Sequence, residues 1–226
     1  MGPCGKPMER YNHAVAYTTI FFDLDDTLYP AKCGLWRDIG KRISLYMHQC
    51  LDIPTNQVDD LRHYYFEHYG TTLLGLRANY ALDINDYLKF VHDLPLPEYI
   101  RPVPGLRAVL GAMPQRKIIF TNADVGHAHR VLEALGLDGC FDGVLDVLTM
   151  FPYCKPMPES FVMAQELAGE SDPQRCVLID DQRRTTLAAR QRGMYSILFG
   201  ADDPQQDADM VLNDLLLLPW LLDGRG

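Results

Sequence analysis

The sequence has no apolar run of membrane-spanning length, no C-x-x-C pair and no cluster of Lys and Arg. Each absence removes a class of function. A transmembrane helix needs about 20 consecutive apolar residues, so no membrane partner is expected. The N-terminus lacks the apolar stretch of a secretory signal peptide, and Lys6 stands where N-myristoylation wants Ser or Thr. The expectation is a cytoplasmic protein. The six cysteines, at 4, 33, 50, 140, 154 and 176, have no zinc-like spacing and lie among apolar neighbours, which predicts buried reduced thiols and no disulfide framework. A net charge of −9 argues against a nucleic acid partner, because a phosphate backbone is held by clustered cations.

What is present suits a soluble α/β protein. At 226 residues, 47% of them apolar and 23% charged, the chain can bury a good core, either as one domain or as one with an insertion. The apolar run from Thr18 to Phe22 leads into Asp23-Leu24-Asp25-Asp26-Thr27 and reads as a buried strand of a parallel sheet. Further strands are predicted over Arg116–Thr121, Phe141–Val147, Arg175–Asp181 and Tyr195–Phe199. Helices fit Val125–Leu135, closed by Gly136, then Ser160–Ala168, and Thr185–Arg192, closed by Gly193. This alternation implies a Rossmann-like, doubly wound parallel sheet covered on both faces.

The first two strong strands stand much further apart than a simple crossover of about thirty residues requires. The intervening chain reads as helical throughout. Ile39, Ile43, Tyr46, Met47 and Cys50 form a stripe over Leu35–Leu51, Asn56 with Asp59 marks a second start, and Thr72–Leu82 and Ile84–Leu94 follow. We therefore expect a core domain of residues 1–32 and 100–226, with residues 33–99 inserted as a helical-bundle cap. Residues 1 to about 17 read as a loose leader.

In doubly wound sheets, ligands bind at the carboxyl ends of the strands. Those ends carry Asp23 and Asp25, then Thr121 and Asn122, then Asp180 and Asp181, with Lys155 in a Pro-flanked loop. Asp23 and Asp25 lie two apart, so both face one site while Leu24 turns inward. Carboxylates held that close repel until a proton or metal relieves them, and hard oxygen ligands suit Mg²⁺, which suits phosphate. Asp23 is the expected nucleophile, forming an aspartyl-phosphate, and Asp25 the expected acid and then base. Thr121, Asn122 and Lys155 would hold the phosphoryl oxygens. Asp181, backed by Asp180, would complete a Mg²⁺ site with Asp23 and the main-chain oxygen of Asp25. His127 and His129, two apart on one helix, are read as structural, and Asp59-Asp60 as a solvated helix face.

At these residues the chain resembles the haloacid dehalogenase superfamily, whose motifs appear in order as D-L-D-D-T from Asp23, T-N at Thr121, K-P at Lys155 and D-D at Asp180. It is similar within that superfamily to the pyrimidine 5'-nucleotidase-like subgroup through F-D-L-D-D-T-L-Y-P, Y-G-T-T-L-L-G-L from Tyr69 and F-T-N-A-D-V-G-H-A-H-R-V-L from Phe120. The resemblance implies a Mg²⁺-dependent phosphomonoesterase acting on nucleoside 5'-monophosphates or similar small phosphates, as a monomer or homodimer. Two features depart from the subgroup: Gln182 and Thr185 replace a Ser and an Asn after the acid pair, and the loop from Leu148 to Cys154 is shorter.

A phosphomutase of another small metabolite is the nearest rival. A dehalogenase has no leaving oxygen to protonate, which the acid at Asp25 speaks against. A phospho-accepting receiver module carries its acid pair before its Lys, whereas here an acid pair also follows it. The substrate selector is expected in the insertion, around Tyr69 to Leu76, with Gly70 and Gly75 as hinges and the tyrosines mainly as packing.

Overall fold

The protein is described by a computed structural model covering residues 17–202 and 206–222. The expected leader up to residue 16, Cys4 and Lys6 included, lies outside the described residues. Strands β1 (Thr19–Phe22), β2 (Arg116–Phe120), β3 (Gly143–Leu145), β4 (Cys176–Asp180), β5 (Tyr195–Phe199) and β6 (Met210–Leu212) form one sheet in the order β3-β2-β1-β4-β5-β6. Every pairing is parallel. Between β1 and β4 the winding reverses direction, which opens a crevice at their carboxyl ends.

The apolar run that predicts β1 works through its two faces. Phe21 meets Phe120 edge-on at 6.1 Å between ring centroids, and Phe161 packs against Phe120 in turn. Ile20 and Phe22 point the other way, into a second cluster with Ile119, Val177 and Ile179. This period of two leaves no exposed residue on β1 or β4. Each fully buried side chain of this kind contributes roughly 1.5–3 kcal/mol. Register then sets the site: Phe22 pairs with Ile179, and the Asp23 amide donates to the Ile179 carbonyl at 2.8 Å, so the acids that follow emerge side by side.

Between β1 and β2 the chain forms α1 (Leu35–Leu51), α2 (Thr55–Tyr69), α3 (Thr72–Asn79) and α4 (Ile84–Val91), an inserted helical segment, and then the short α5 (Leu96–Tyr99) and α6 (Leu106–Ala112). The remaining helices are α7 (Val125–Ala134), α8 (Val147–Met150), α9 (Pro158–Ala168), α10 (Arg183–Gln191) and α11 (Leu218–Leu222). No helix among the described residues is long and apolar enough to cross a membrane.

Several expectations need correcting. The second helix starts at Thr55, not Asn56, because Pro54 stays extended (ψ 134) just before it. The third ends at Asn79, where Tyr80 turns extended (φ −133), and the fourth ends at Val91. Cys50 is exposed and Cys33 half-buried, so the reading of buried thiols holds only for Cys140, Cys154 and Cys176 among the described cysteines, all five of which are free. Gly70 and Gly75 are close-approach sites: Gly70 has φ +83 and a Cβ there would meet Cys154 Sγ at 2.5 Å, while one at Gly75 would meet the Tyr65 ring at 2.2 Å.

Candidate active site

Four chain segments meet at the crevice. Asp23 follows β1 directly, Asp180 ends β4, Thr121 and Asn122 follow β2, and Lys155 arrives on the loop between α8 and α9. Lys155 Nζ donates to Asp23 Oδ1 and to Asp180 Oδ2, each at 2.6 Å, with all three side chains buried. Asn122 fixes the loop by a reciprocal pair: its Nδ2 donates to the Lys155 carbonyl at 3.0 Å and its Oδ1 accepts from the Lys155 amide at 2.8 Å. Thr27 Oγ1 reaches Asp23 Oδ2 at 3.4 Å. Thr121 Oγ1 accepts from the Ala123 amide, which leaves its own hydrogen to donate.

Asp23, Asp180 and Asp181 each offer a carboxylate oxygen within 4.8 Å of the others. Burial first, then the charges of Asp180 and Asp181, hold Asp23 well above the usual carboxylate range, although the Lys155 ammonium pulls it the other way. Burial and Asp180 push Asp181 up to about 7. Lys155 pays a burial penalty too, but Asp180 and Asp23 outweigh it and raise its pKa. Three carboxylates against one ammonium leave a formal charge of −2 in a largely buried cluster. A divalent cation with oxygen ligands, such as Mg²⁺, fits that donor set. Asp180 already accepts from Lys155 and from the Gln182 amide, at 2.6 and 2.9 Å.

Asp25 sits apart from the triad of carboxylates. Its Oδ1 accepts from the Tyr29 hydroxyl at 2.5 Å and from His127 Nε2 at 2.8 Å. Burial alone would raise its pKa, but the charge and hydrogen bond of His127, with Tyr29, bring it below the ordinary value. Asp26, at φ +58, borders the same small cavity, and burial next to Asp25 lifts its pKa to about 6.

A small cavity of about 40 Å³ is lined by Asp23, Asp25, Thr121, Lys155 and Asp181. It shares Trp36, Asn122 and Gln182 with a larger cavity of about 420 Å³ that runs between the insertion and the sheet. Of the Tyr69–Leu76 stretch, Thr71, Thr72 and Leu73 line this larger cavity. Tyr64, Tyr65 and Tyr69 pack against one another instead, and the aromatic lining comes from Trp36, Phe66 and Tyr87. Asp59, read as solvated, is exposed and also borders the cavity.

The seven residues expected from the sequence meet at this crevice, and four others join them. His127 was read as structural, yet it touches Asp25; the available signal was its place one turn before Val131 on the buried face of α7, with His129 exposed. Tyr29 reaches back one turn to Asp25, Trp36 borders both cavities, and Arg184 bridges α10 to the insertion. Gln182, one of the two departures from the subgroup pattern, accepts from Arg184 Nε at 3.2 Å.

Comparison with known proteins agrees with this geometry. The model for "haloacid dehalogenase-like hydrolase" matches residues 17–193. The chain is similar to phosphate metabolism protein 8 of Saccharomyces cerevisiae, 27% identical over 92% of this chain and 73% of that protein. Its fold is shared with a protein from Haemophilus somnus described as a predicted phosphoglycolate phosphatase (19% identity, TM-score 0.60, 91% of this chain and 97% of that one). It is shared also with the HAD-hydrolase YfnB from Bacillus subtilis, solved bound to magnesium (17% identity, TM-score 0.62, 92% and 99%).

Proposed function

The chain belongs to the haloacid dehalogenase-like hydrolase family, and we propose that its reaction is the hydrolysis of small phosphate monoesters through an aspartyl-phosphate on Asp23. The observation that carries this reading is the Lys155 ammonium held 2.6 Å from both Asp23 and Asp180, with Asp181 beside them. A nucleophile whose negative charge is screened by a fixed cation can approach a phosphoryl dianion, and positioning with charge neutralisation supplies most of the catalysis in such reactions.

Lys155, Thr121 and Asn122 hold the phosphoryl oxygens while an oxygen of Asp23 attacks phosphorus. The bond to the leaving oxygen breaks, and Asp25 gives that oxygen a proton. In the second half Asp25 takes a proton from the water that cleaves the intermediate. Mg²⁺, held by Asp23, Asp181 backed by Asp180, and the main-chain oxygen of Asp25, would supply the positive charge that balances the carboxylates and the phosphoryl group.

In this reading, residues 1–32 and 100–226 do the chemistry, and residues 33–99 choose the leaving group. The cavity of about 420 Å³ opens from the phosphoryl site, is bordered by Trp36, Phe66 and Tyr87, and carries polar side chains in Thr71, Thr72 and Arg62. Flat aromatic faces and scattered donors suit a nucleobase, which favours nucleoside 5'-monophosphates such as UMP or CMP. Phosphate release in Mg²⁺ across a panel of nucleotides, sugar phosphates and carboxylate-bearing phosphates tests this. The highest kcat/KM should fall on a pyrimidine nucleotide, and a clear preference for any other class would overturn the substrate assignment.

A further inference from the structure

We propose that His127 is a positioning residue for the acid of the reaction: it turns the Asp25 carboxyl so that Oδ2 faces the leaving group, and the inserted helices hold His127 through His92. This inference rests on the phosphatase reading of the site.

The torsion that orients a carboxyl group is soft, with broad two-fold preferences, so an acid catalyst needs outside contacts to fix it. Here two donors converge on one oxygen. Oδ1 accepts from His127 Nε2 at 2.8 Å and from the Tyr29 hydroxyl at 2.5 Å. Among the described residues no hydrogen bond reaches Oδ2, and Asp25 lines the small cavity beside Asp23 and Lys155. An oxygen that already accepts two hydrogen bonds has no free direction for a proton of its own. The proton that Asp25 delivers therefore sits on Oδ2. In the first step a bond forms from an Asp23 oxygen to phosphorus. The bond from phosphorus to the leaving oxygen breaks, its electron pair stays on that oxygen, and the Oδ2 proton joins it.

The ring that does the orienting is held by its burial, by a stacked neighbour and by its own main chain. His127 is fully buried, and its Nδ1 has no partner among the described residues. No competing hydrogen bond therefore draws the ring away from Asp25, to which Nε2 donates. The His92 ring stacks on it, with centroids 4.1 Å apart and planes at 18°. Asp124 binds both partners: its Oδ2 pairs with His92 Nδ1 at 2.6 Å, and its Oδ1 accepts from the His127 main-chain amide at 2.9 Å. His92 directly follows α4 of the insertion, while His127 and Asp124 belong to the start of α7 on the sheet side. His92 also borders the larger cavity. The orientation of the acid is thus shared between the two parts of the molecule that must meet around a substrate.

A proton donor matters for a leaving group that departs as an alkoxide and hardly at all for one that departs as a stable anion. The test therefore compares kcat/KM on glycerol phosphate with kcat/KM on 2,4-dinitrophenyl phosphate, since this constant reports the steps up to departure of the leaving group. His127→Gln places an N–H near the position of Nε2; His127→Asn is too short to do so. We expect His127→Asn to lose about hundredfold on glycerol phosphate and less than about threefold on the dinitrophenyl ester. His127→Gln should stay within about tenfold of wild type on both. Equal losses on the two esters, or Asn and Gln behaving alike, would overturn the proposal. Should the Asn variant fail to fold, His92→Ala decides: it should lose activity on glycerol phosphate alone, and an unchanged ratio of the two substrates refutes the role. Wild-type protein that releases phosphate from neither ester would overturn the phosphatase reading, and this inference with it.

Discussion

Arg184 of α10 donates from Nη2 to the main-chain oxygen of Gly70 at 2.8 Å, tying the helix after the acid pair to the turn that joins α2 and α3. The same guanidinium donates to the Phe66 carbonyl at 3.2 Å and lies 3.5 Å from the centre of the Phe66 ring. A lysine cannot reproduce this fork or its flat stacking. Arg184→Lys should lower stability by about 1–2 kcal/mol, read from the urea midpoint, and raise KM more than it lowers kcat. An unchanged midpoint and KM would mean that other contacts hold the insertion over the sheet.

Metal dependence follows from the formal charge of −2 around Asp23. Activity should vanish in EDTA and return with Mg²⁺. Binding to the native state alone should add about 2.7 kcal/mol of stability at a hundredfold excess over Kd. Asp181→Ala should lose most of that gain when melting curves with and without Mg²⁺ are compared. A protein equally active in chelator has some other site.

The pair formed by His92 and Asp124 predicts an acid limit to stability. Burial keeps the folded pKa of His92 below its ordinary value near 6.5, despite the raising effect of Asp124. Between the two values the unfolded chain binds a proton that the native state does not, so stability falls as pH drops below about 6.5. Asp124 is also held low: its burial is outweighed by the hydrogen bond and charge of His92, which adds a second loss as pH falls below about 4. Unfolding free energies measured in Mg²⁺ at pH 7 and 5.5 should differ less in His92→Gln than in wild type. Equal differences would remove His92 as the cause.

Thr71 and Thr72 both border the larger cavity but do different work. Thr71 Oγ1 caps α3 by accepting from the Leu74 amide at 3.2 Å. Thr71→Ala should therefore cost about 1 kcal/mol of stability and affect UMP and p-nitrophenyl phosphate alike. Thr72→Ala should reduce kcat/KM on UMP by roughly tenfold, about one hydrogen bond, and leave p-nitrophenyl phosphate nearly unchanged. The reverse pattern would move substrate selection elsewhere.

The sheet was legible because its strands are buried on both faces and announce themselves as apolar runs: β5 falls at Tyr195–Phe199 as expected, and β1, β2 and β4 shift by a single residue at one or both ends. Short elements escaped. β6, Met210–Leu212, is too brief to show a period, and α8 and α11 are one-turn pieces fixed by packing. In the site, residues that sit on strand ends could be read in line. His127, Trp36 and Arg184 could not, since their positions depend on how α7, α1 and α10 roll onto the sheet. Tyr64, Tyr65 and Tyr69 pack together as expected, but the rings that do line the cavity, Trp36, Phe66 and Tyr87, could not be picked out for a related reason: composition reveals aromatic rings but not which face of a helix turns toward the cavity.

The covalent role of Asp23 can be tested on the protein itself. Enzyme turning over UMP or p-nitrophenyl phosphate in Mg²⁺ is quenched in acid, and the denatured chain is reduced with borohydride, which converts an aspartyl-phosphate to homoserine. Peptide mass spectrometry then reads position 23. We predict homoserine there in wild type during turnover, none without substrate, and none in Asp23→Asn, whose activity should fall by at least about a thousandfold with the fold retained. Steady turnover with no modification at Asp23, or full activity in Asp23→Asn, would contradict the mechanism.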